Sequence, residues 1–553
     1  MILSPVNYPR AGMISMEFAK KANLILIFFI GYLLFWNWQK DYGHLKDNTA
    51  SIKLSHSTIV PGDLSVHVPD NEAMPSATLI KVKSPMFNAE FSTEDGSLVQ
   101  LGLNAYPATT GNNTPFQLLS TDPSNFYILE QGFIFDSSQV KKGLNPFTCL
   151  NCSQAGMDTS SDRVIELVSK GDLWDVYKSY TFRKNSYEVV QQIKIVNHSG
   201  QPLETRAFSQ IVRGNQKDPG SQSGMRISSF LGAAWWTPDK LYNKKSLDAL
   251  VKGDSNSSFS EKGGWLAFVQ HYFIVALIPD HNSTNEYSIR SENGKVYLSL
   301  VREPHSVLPG QSYTDQIHVF MGPKIISLLK PVSPGLDLTI DYGWLWPIAE
   351  FLFYILHAIF DVLGNWGWSI VVLTIIVKMA FWPLSTASYR SMAQMRKLAP
   401  EIERLKDKFG DDRQKMSQAM MEFYRKEKIN PLGGCLPMVV QMPVFIALYW
   451  TLMESVELRH SSFIFWIRDL ADMDHFFILP ILMGLSMYIQ QSLNPAPADP
   501  MQAKMMKFMP LIFTGFFLFF PSGLVLYWIV SNLISILQQW TVNQRINKPV
   551  SVA

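Results

Sequence analysis

The run VVLTIIVKMAFWPL, Val371 to Leu384, sets a single ammonium, that of Lys378, among apolar residues. Holding a charge in hydrocarbon costs at least ~2.5–3.5 kcal/mol, so Lys378 demands a compensating environment. The five long apolar runs of the carboxy-terminal part contain no Asp or Glu to pair with it. Two environments remain: the stem snorkels to lipid headgroups, or the ammonium faces water inside the protein. On a straight helix Thr374 at i−4 and Ser385 at i+7 share the lysine's face, and Gln441, Gln490, Ser531 and Asn532 add polar groups from other apolar runs. Such groups glue helices together by hydrogen bonds or, beside an unpaired lysine, line a hydrated, electropositive hollow suited to an acidic or polar segment.

Covalent chemistry finds less support. His198, His271, His281, His305 and His318 do not fall at metal-ligand spacings, and neither G-x-S-x-G nor a phosphate loop occurs. No enzyme activity, metal or cofactor is therefore expected. Cys149 and Cys152 in TCLNC have no second pair and no βαβ surroundings, which leaves a loop disulfide or two idle thiols. A net charge of +2 on 553 residues excludes a global basic field, so no direct nucleic-acid specificity is expected.

The elements that must position Lys378 are membrane helices. The chain is 47% hydrophobic, with apolar runs near the start and after Trp344. Lys20 and Lys21 precede Ala22 to Trp38, and no small-residue cleavage site follows. This reads as an uncleaved signal anchor, 22–38, behind a cytoplasmic segment 1–21 whose true start is possible at Met16. Five further spans are expected at 366–385, 432–453, 476–493, 505–520 and 523–540, each near the roughly 20 residues needed to cross the hydrocarbon. Leu345 to Leu363 has Glu350, His357 and Asp361 at roughly helical spacing and reads as an interfacial amphipathic helix. Between the anchor and this helix, 40–343 is β-rich: Val189, Ile193 and Ile195 alternate with Gln192 and Lys194, and Val296, Leu298 and Leu300 alternate in KVYLSLV. Antiparallel sheets packed as a sandwich are expected.

Orientation follows from the basic residues. Segment 386–431 holds the densest cluster, including Arg396, Lys397, Arg404, Lys406 and Lys408, and should be cytoplasmic. Six spans from a cytoplasmic amino end then put 40–343 and 455–475 outside, and 494–504 and the tail 541–553 inside. Within 386–431, Met392, Met395, Leu398, Ile402, Leu405 and Phe409 repeat at helical spacing; after Gly410, Asp411 and Asp412, a second stripe holds Met416, Met420 and Phe423. This predicts a helical hairpin whose charged faces are either simply solvated or a docking surface.

Five segments, NWGWSIVVLTIIVK, SMAQMRKLAPEIERLKDKFGDD, INPLGGCLPMVVQMPVFIALYW, FILPILMG and FPSGLVLYWIVSNLISILQQ, resemble in order and spacing the YidC family of membrane protein insertases, over about Asp341 to Asn543. The amino-terminal layout resembles the Gram-negative form. The resemblance implies a polytopic α-helical protein of six transmembrane helices, five forming the insertase bundle, in the bacterial inner membrane with both termini cytoplasmic. It implies a large periplasmic β-sandwich of the supersandwich type. Its partners would be nascent membrane proteins, the Sec translocon with accessory subunits, the ribosome and signal recognition particle at the hairpin, and the lipid bilayer. Lys378 stands where the family commonly has arginine, so the charge is kept without the planar fork. Groove residues would include Thr374, Gln441, Ser385 and Asn532. The apolar slide for a substrate helix would include Phe445, Met483, Phe516, Tyr527 and Trp528, each of which could instead face lipid or pack between helices. A solute transporter or channel, or a membrane-tethered carbohydrate-active enzyme, are the alternatives.

Overall fold

The computed structural model describes residues 79–547 apart from 136–144, 153–161, 217–228, 240, 253–256, 410–412, 428–435 and 495–499. The expected segment 1–21, the anchor 22–38 and Cys435 lie outside the described residues. The chain divides into a β unit, which takes in 57–341 and 454–461, and a helical unit, which takes in 342–453 and 462–553.

The β unit has two antiparallel sheets, of ten and nine strands among the described residues. Rings cross from one sheet to the other: Phe91 lies 4.6 Å from Tyr180, and Tyr127 5.5 Å from Phe268. This is the expected sandwich, and the two runs read as strands are Glu188–Asn197 and Lys295–Arg302. Cys149 and Cys152 form a disulfide across 5.7 Å between Cα atoms, at the short edge strand Thr148–Cys149.

Strand alternation also buries a charge. In Trp174–Phe182 every second residue from Trp174 onward points into the sandwich, and the third of these is Lys178. Its ammonium donates to the backbone carbonyls of Asp95, at 2.6 Å, and Gln131, and lies over the Phe147 ring. Burial pushes Lys178 down to about 8, against the pull of Asp95 and Glu130.

A second buried cation holds the segment that follows the helix Leu436–Glu454. Lys324 pairs with Glu454 at 2.9 Å, their side chains 1% and 2% exposed. The Arg459 guanidinium donates to the carbonyls of Pro107 and Ala108 and lies over Phe116 and Phe273.

In the helical unit the helices are α1 (Trp346–Leu363), α2 (Trp366–Ala380), α3 (Trp382–Lys397), α4 (Ala399–Phe409), α5 (Arg413–Lys426), α6 (Leu436–Glu454), α7 (Ile478–Ser492), α8 (Pro500–Phe517) and α9 (Ser522–Asn547). Gly364, in the left-handed conformation at φ 65°, stops α1, and the Asn365 side chain accepts the Trp368 N–H to start α2. Polarity is inverted relative to a water-soluble bundle. Ile481, Leu485, Leu511, Ile512, Leu533 and Leu537 are exposed, whereas Ser486, Ser535, Gln538 and Gln539 are buried. That is the pattern lipid selects, because polar groups must find partners inside.

The span expected at 366–385 is not one straight helix: α2 and α3 meet at a 65° bend. The sequence reason is Pro383 at the start of α3, which has no N–H to carry the ladder through. Length and composition alone do not confirm six spans. Among the described residues two helices are long and apolar enough to cross, Gly343–Leu363 and Ser522–Ile546, or three if the bent pair is one span. α7 has only 15 residues, and Lys504 and Lys507 dilute the start of α8.

Two outcomes follow for stability. Lys178 in the unfolded chain keeps its proton to about 10.5, whereas in the fold it releases it near 8, so raising pH through this window favours the fold. The Tm of the full-length protein minus that of Lys178→Met should therefore rise from pH 8 to pH 10; a flat difference would contradict the assignment. Lys324→Met should cost roughly 3–5 kcal/mol by leaving the Glu454 carboxylate buried and unpaired. Adding Glu454→Leu should recover most of the loss in denaturant unfolding.

Candidate functional site

Lys378 lies in the last turn of α2, on its buried stripe with Ile370, Leu373, Thr374 and Val377. Ile375, Ile376 and Met379 occupy the exposed side. The lysine therefore does not run out along the apolar surface: its side chain is 7% exposed and bonded across the bundle. The ammonium donates to Gln441 Oε1 of α6 at 3.1 Å and to Ser535 Oγ of α9 at 2.8 Å. Gln441 passes its own amide N–H groups to the Tyr527 hydroxyl and Ser531 Oγ, each at 3.4 Å. The Ser535 hydroxyl donates to the Ser531 carbonyl at 2.9 Å and also meets Tyr389 of α3. Three helices thus converge on one cation through neutral groups, and among the described ion pairs none supplies Lys378 with a carboxylate.

The other expected polar residues are distributed differently. Thr374 is fully buried and its hydroxyl donates to the Ile370 carbonyl at 2.6 Å, one turn back on the same helix. Asn532 donates to Ser486 Oγ of α7 at 2.9 Å, tying α9 to α7. Ser385 lies beyond the bend, buried in the first turn of α3, its N–H bonded to the Phe381 carbonyl. Ser535 was not singled out from the sequence. Its signal was present, because Ser531, Ser535 and Gln538 recur at i, i+4 and i+7 along one face of α9.

Of the expected apolar slide, Phe445 and Trp528 meet edge to face at 4.7 Å, and Tyr527 lies 6.3 Å from Phe445. Phe517 completes the group, 5.1 Å from Trp528 and 6.4 Å from Phe445. Phe516, one residue earlier and about 100° around α8, is half exposed and packs on Phe517 and Phe520. Met483, on α7, is fully buried, and Tyr527, on α9, nearly so. In the hairpin, Arg396, Lys397, Arg404 and Lys408 are exposed, and Lys397 reaches the Ile546 carbonyl at 3.4 Å. The side chain of Lys406 lies outside the described residues.

One end of the α8–α9 pair is closed by the loop that precedes α7. Ser522 N and Oγ both donate to the Asp472 carbonyl, at 2.7 and 2.8 Å, and Gly523 N to that of Leu470 at 2.9 Å. The Asp474 carboxylate accepts from Trp466 Nε1 and from the backbone of Phe476 and Leu479. Gly367 at the start of α2 fits against this loop because a Cβ there would collide with the Phe463 ring. Gly523 lies 12 residues, or about 18 Å of helix, from Ser535, so the fastening sits well away from the Lys378 cluster.

The sequence matches the family models described as 60Kd inner membrane protein, over residues 358–549, and YidC periplasmic domain, over residues 79–355. It is 40% identical to the membrane protein insertase YidC of Hahella chejuensis, covering 96% of this chain and 98% of that one. It is 43% identical to that of Pseudomonas putida, covering 94% and 96%. An active YidC insertase solved with its first transmembrane domain is similar at 20% identity and a TM-score of 0.38, over 84% of this chain and 92% of that one. The chain belongs to the YidC family of membrane protein insertases, with the family's inner-membrane and periplasmic parts both present.

Proposed function

We propose that the Lys378 cluster is the floor of a hydrated groove that lowers the cost of carrying a short polar segment of a nascent membrane protein into the bilayer. The observation that carries this reading is a buried ammonium bonded to neutral groups only, Gln441 and Ser535. An ammonium has three donors. The third is available to an acceptor from outside, and an arriving Asp or Glu brings the counter-charge that the described surroundings of Lys378 lack. Each unsatisfied backbone group would otherwise cost several kcal/mol in lipid. Phe445, Trp528 and Phe517, backed by Met483 and Tyr527, form the apolar surface along which the substrate's helix moves into lipid, and Phe516 extends it outward. Transfer of that helix and the membrane potential, worth about 2.3 kcal/mol per charge per 100 mV, supply the drive.

The topology we assign has six spans, 22–38, 366–385 with its bend, 432–453, 476–493, 505–520 and 523–540, with both termini cytoplasmic. The basic cluster of 386–431 supports it. In this orientation the fastening of Ser522 and Gly523 to the loop before α7 is the periplasmic seal of the groove. α1 lies at the interface, consistent with exposed Phe351, Tyr354 and Val362 beside Glu350, His357 and Asp361. The hairpin α4–α5, with Arg396, Lys397, Arg404, Lys406 and Lys408 in or beside it, is a docking face for the ribosome, the signal recognition particle or lipid headgroups. Work beside the Sec translocon and its accessory subunits completes the reading.

In proteoliposomes, Lys378→Ala should slow insertion of a single-span substrate with a short acidic tail about tenfold, as loss of one charge-assisted hydrogen bond of roughly 1.5 kcal/mol implies. Lys378→Arg should insert it at close to the wild-type rate. Equal rates for Lys378→Ala and wild type would remove the electrostatic role.

A further inference from the structure

We propose that Gln538 is a positioning residue for the insertase groove, holding the bend between α2 and α3 so that Lys378 stays aimed at Ser535; this rests on the groove reading above. Gln538 is 1% exposed, and its amide nitrogen donates to the Trp382 carbonyl at 2.9 Å and to Thr386 Oγ1 at 3.0 Å. The Thr386 hydroxyl donates back to the same Trp382 carbonyl at 2.8 Å. Trp382 is the first residue of α3 and Pro383 the second, so both bonds land on the first turn after the bend. A proline in this place removes a backbone donor, and the surrounding lipid offers none in exchange. The side chains of Thr386 and Gln538 brace the bend beside that gap, both donating to the Trp382 carbonyl.

The pairing is also a register lock. Ser535 and Gln538 are i and i+3 on α9, while Lys378 and Trp382 are i and i+4 along the bent pair. The two contacts therefore stack as neighbouring rungs between adjacent helices. Lysine alone sets register poorly, because four torsions let its ammonium follow a shifted helix. Gln538 grips a backbone carbonyl, which has no such freedom. A slip or rotation of α2 and α3 against α9 breaks the Gln538 rung first. Tyr389, two turns into α3, meets Ser535 as well, so α3 must fold back over α9 at the observed angle for the cluster to be complete.

The test uses the full-length chain in proteoliposomes with Cys435→Ser and nitroxide labels at Ile375→Cys and Arg390→Cys, both exposed positions on either side of the bend. Gln538→Met keeps the side-chain volume but removes the donor. It should broaden the label-to-label distance distribution and slow insertion of the acidic-tailed substrate several-fold. Gln538→His, whose ring N–H reaches a similar distance, should restore both. In a Lys378→Ala background Gln538→Met should cost nothing further, because there is no ammonium left to aim. An unchanged distance distribution in Gln538→Met, or an equal insertion loss in the presence and absence of Lys378, would overturn the positioning role while leaving the groove reading intact. Failure of the groove reading itself would show separately, as full insertion by Lys378→Ala alone.

Discussion

A charged side chain on the protein-facing stripe of a membrane helix is the constraint to which the rest of the helical unit answers. Lys378 cannot reach water along the exposed side of α2, which carries Ile375, Ile376 and Met379. The fold therefore brings it Gln441 from α6 and Ser535 from α9. Both are neutral acceptors. A carboxylate in their place would satisfy the ammonium fully and leave nothing for a substrate to gain, whereas an apolar pair would leave a bare buried charge. In the groove proposed above, such intermediate satisfaction keeps the lysine folded in without saturating it.

The same logic explains the inverted surface. Serine, asparagine and glutamine along α9 find partners on α2, α3, α6 and α7, while leucine, isoleucine and phenylalanine face outward. The loop before α7 secures the far end of α9 through backbone bonds to Ser522 and Gly523. In the β unit, buried Lys178 and the Lys324–Glu454 pair serve the sandwich itself; neither belongs to the Lys378 cluster.

Much of this was legible in the residues. Lys378 announced itself by its cost in lipid, and Gln441 by being a lone amide in an apolar run. The sandwich followed from alternation at Val189 to Ile195 and Val296 to Leu300. What escaped had local physical causes. Pro383 was counted inside a continuous helix, whereas the structure bends there by 65°. Ser535 is a small hydroxyl that ranks low by type and gains its place only from its spacing to Ser531 and Gln538. Phe516 and Phe517 differ by one helical step, and the sequence offered no reference for the rotation of α8; the structure turns Phe517 toward Phe445 and Trp528. The count of six spans, read from hydropathy, is not confirmed by helix length and composition alone.

The central claim is that water reaches the Lys378 cluster from the cytoplasmic side alone, and side-specific thiol labelling measures this directly. In a Cys435→Ser background, Ser535→Cys and Gln441→Cys are exposed in turn to a membrane-impermeant maleimide on either face of oriented vesicles. Modification from the cytoplasmic face and protection from the periplasmic one are the expected outcome. Protection from both faces would mean a dry, sealed bundle around the lysine, and modification from the periplasmic face would mean the seal at Ser522 and Gly523 does not hold; either result contradicts the mechanism.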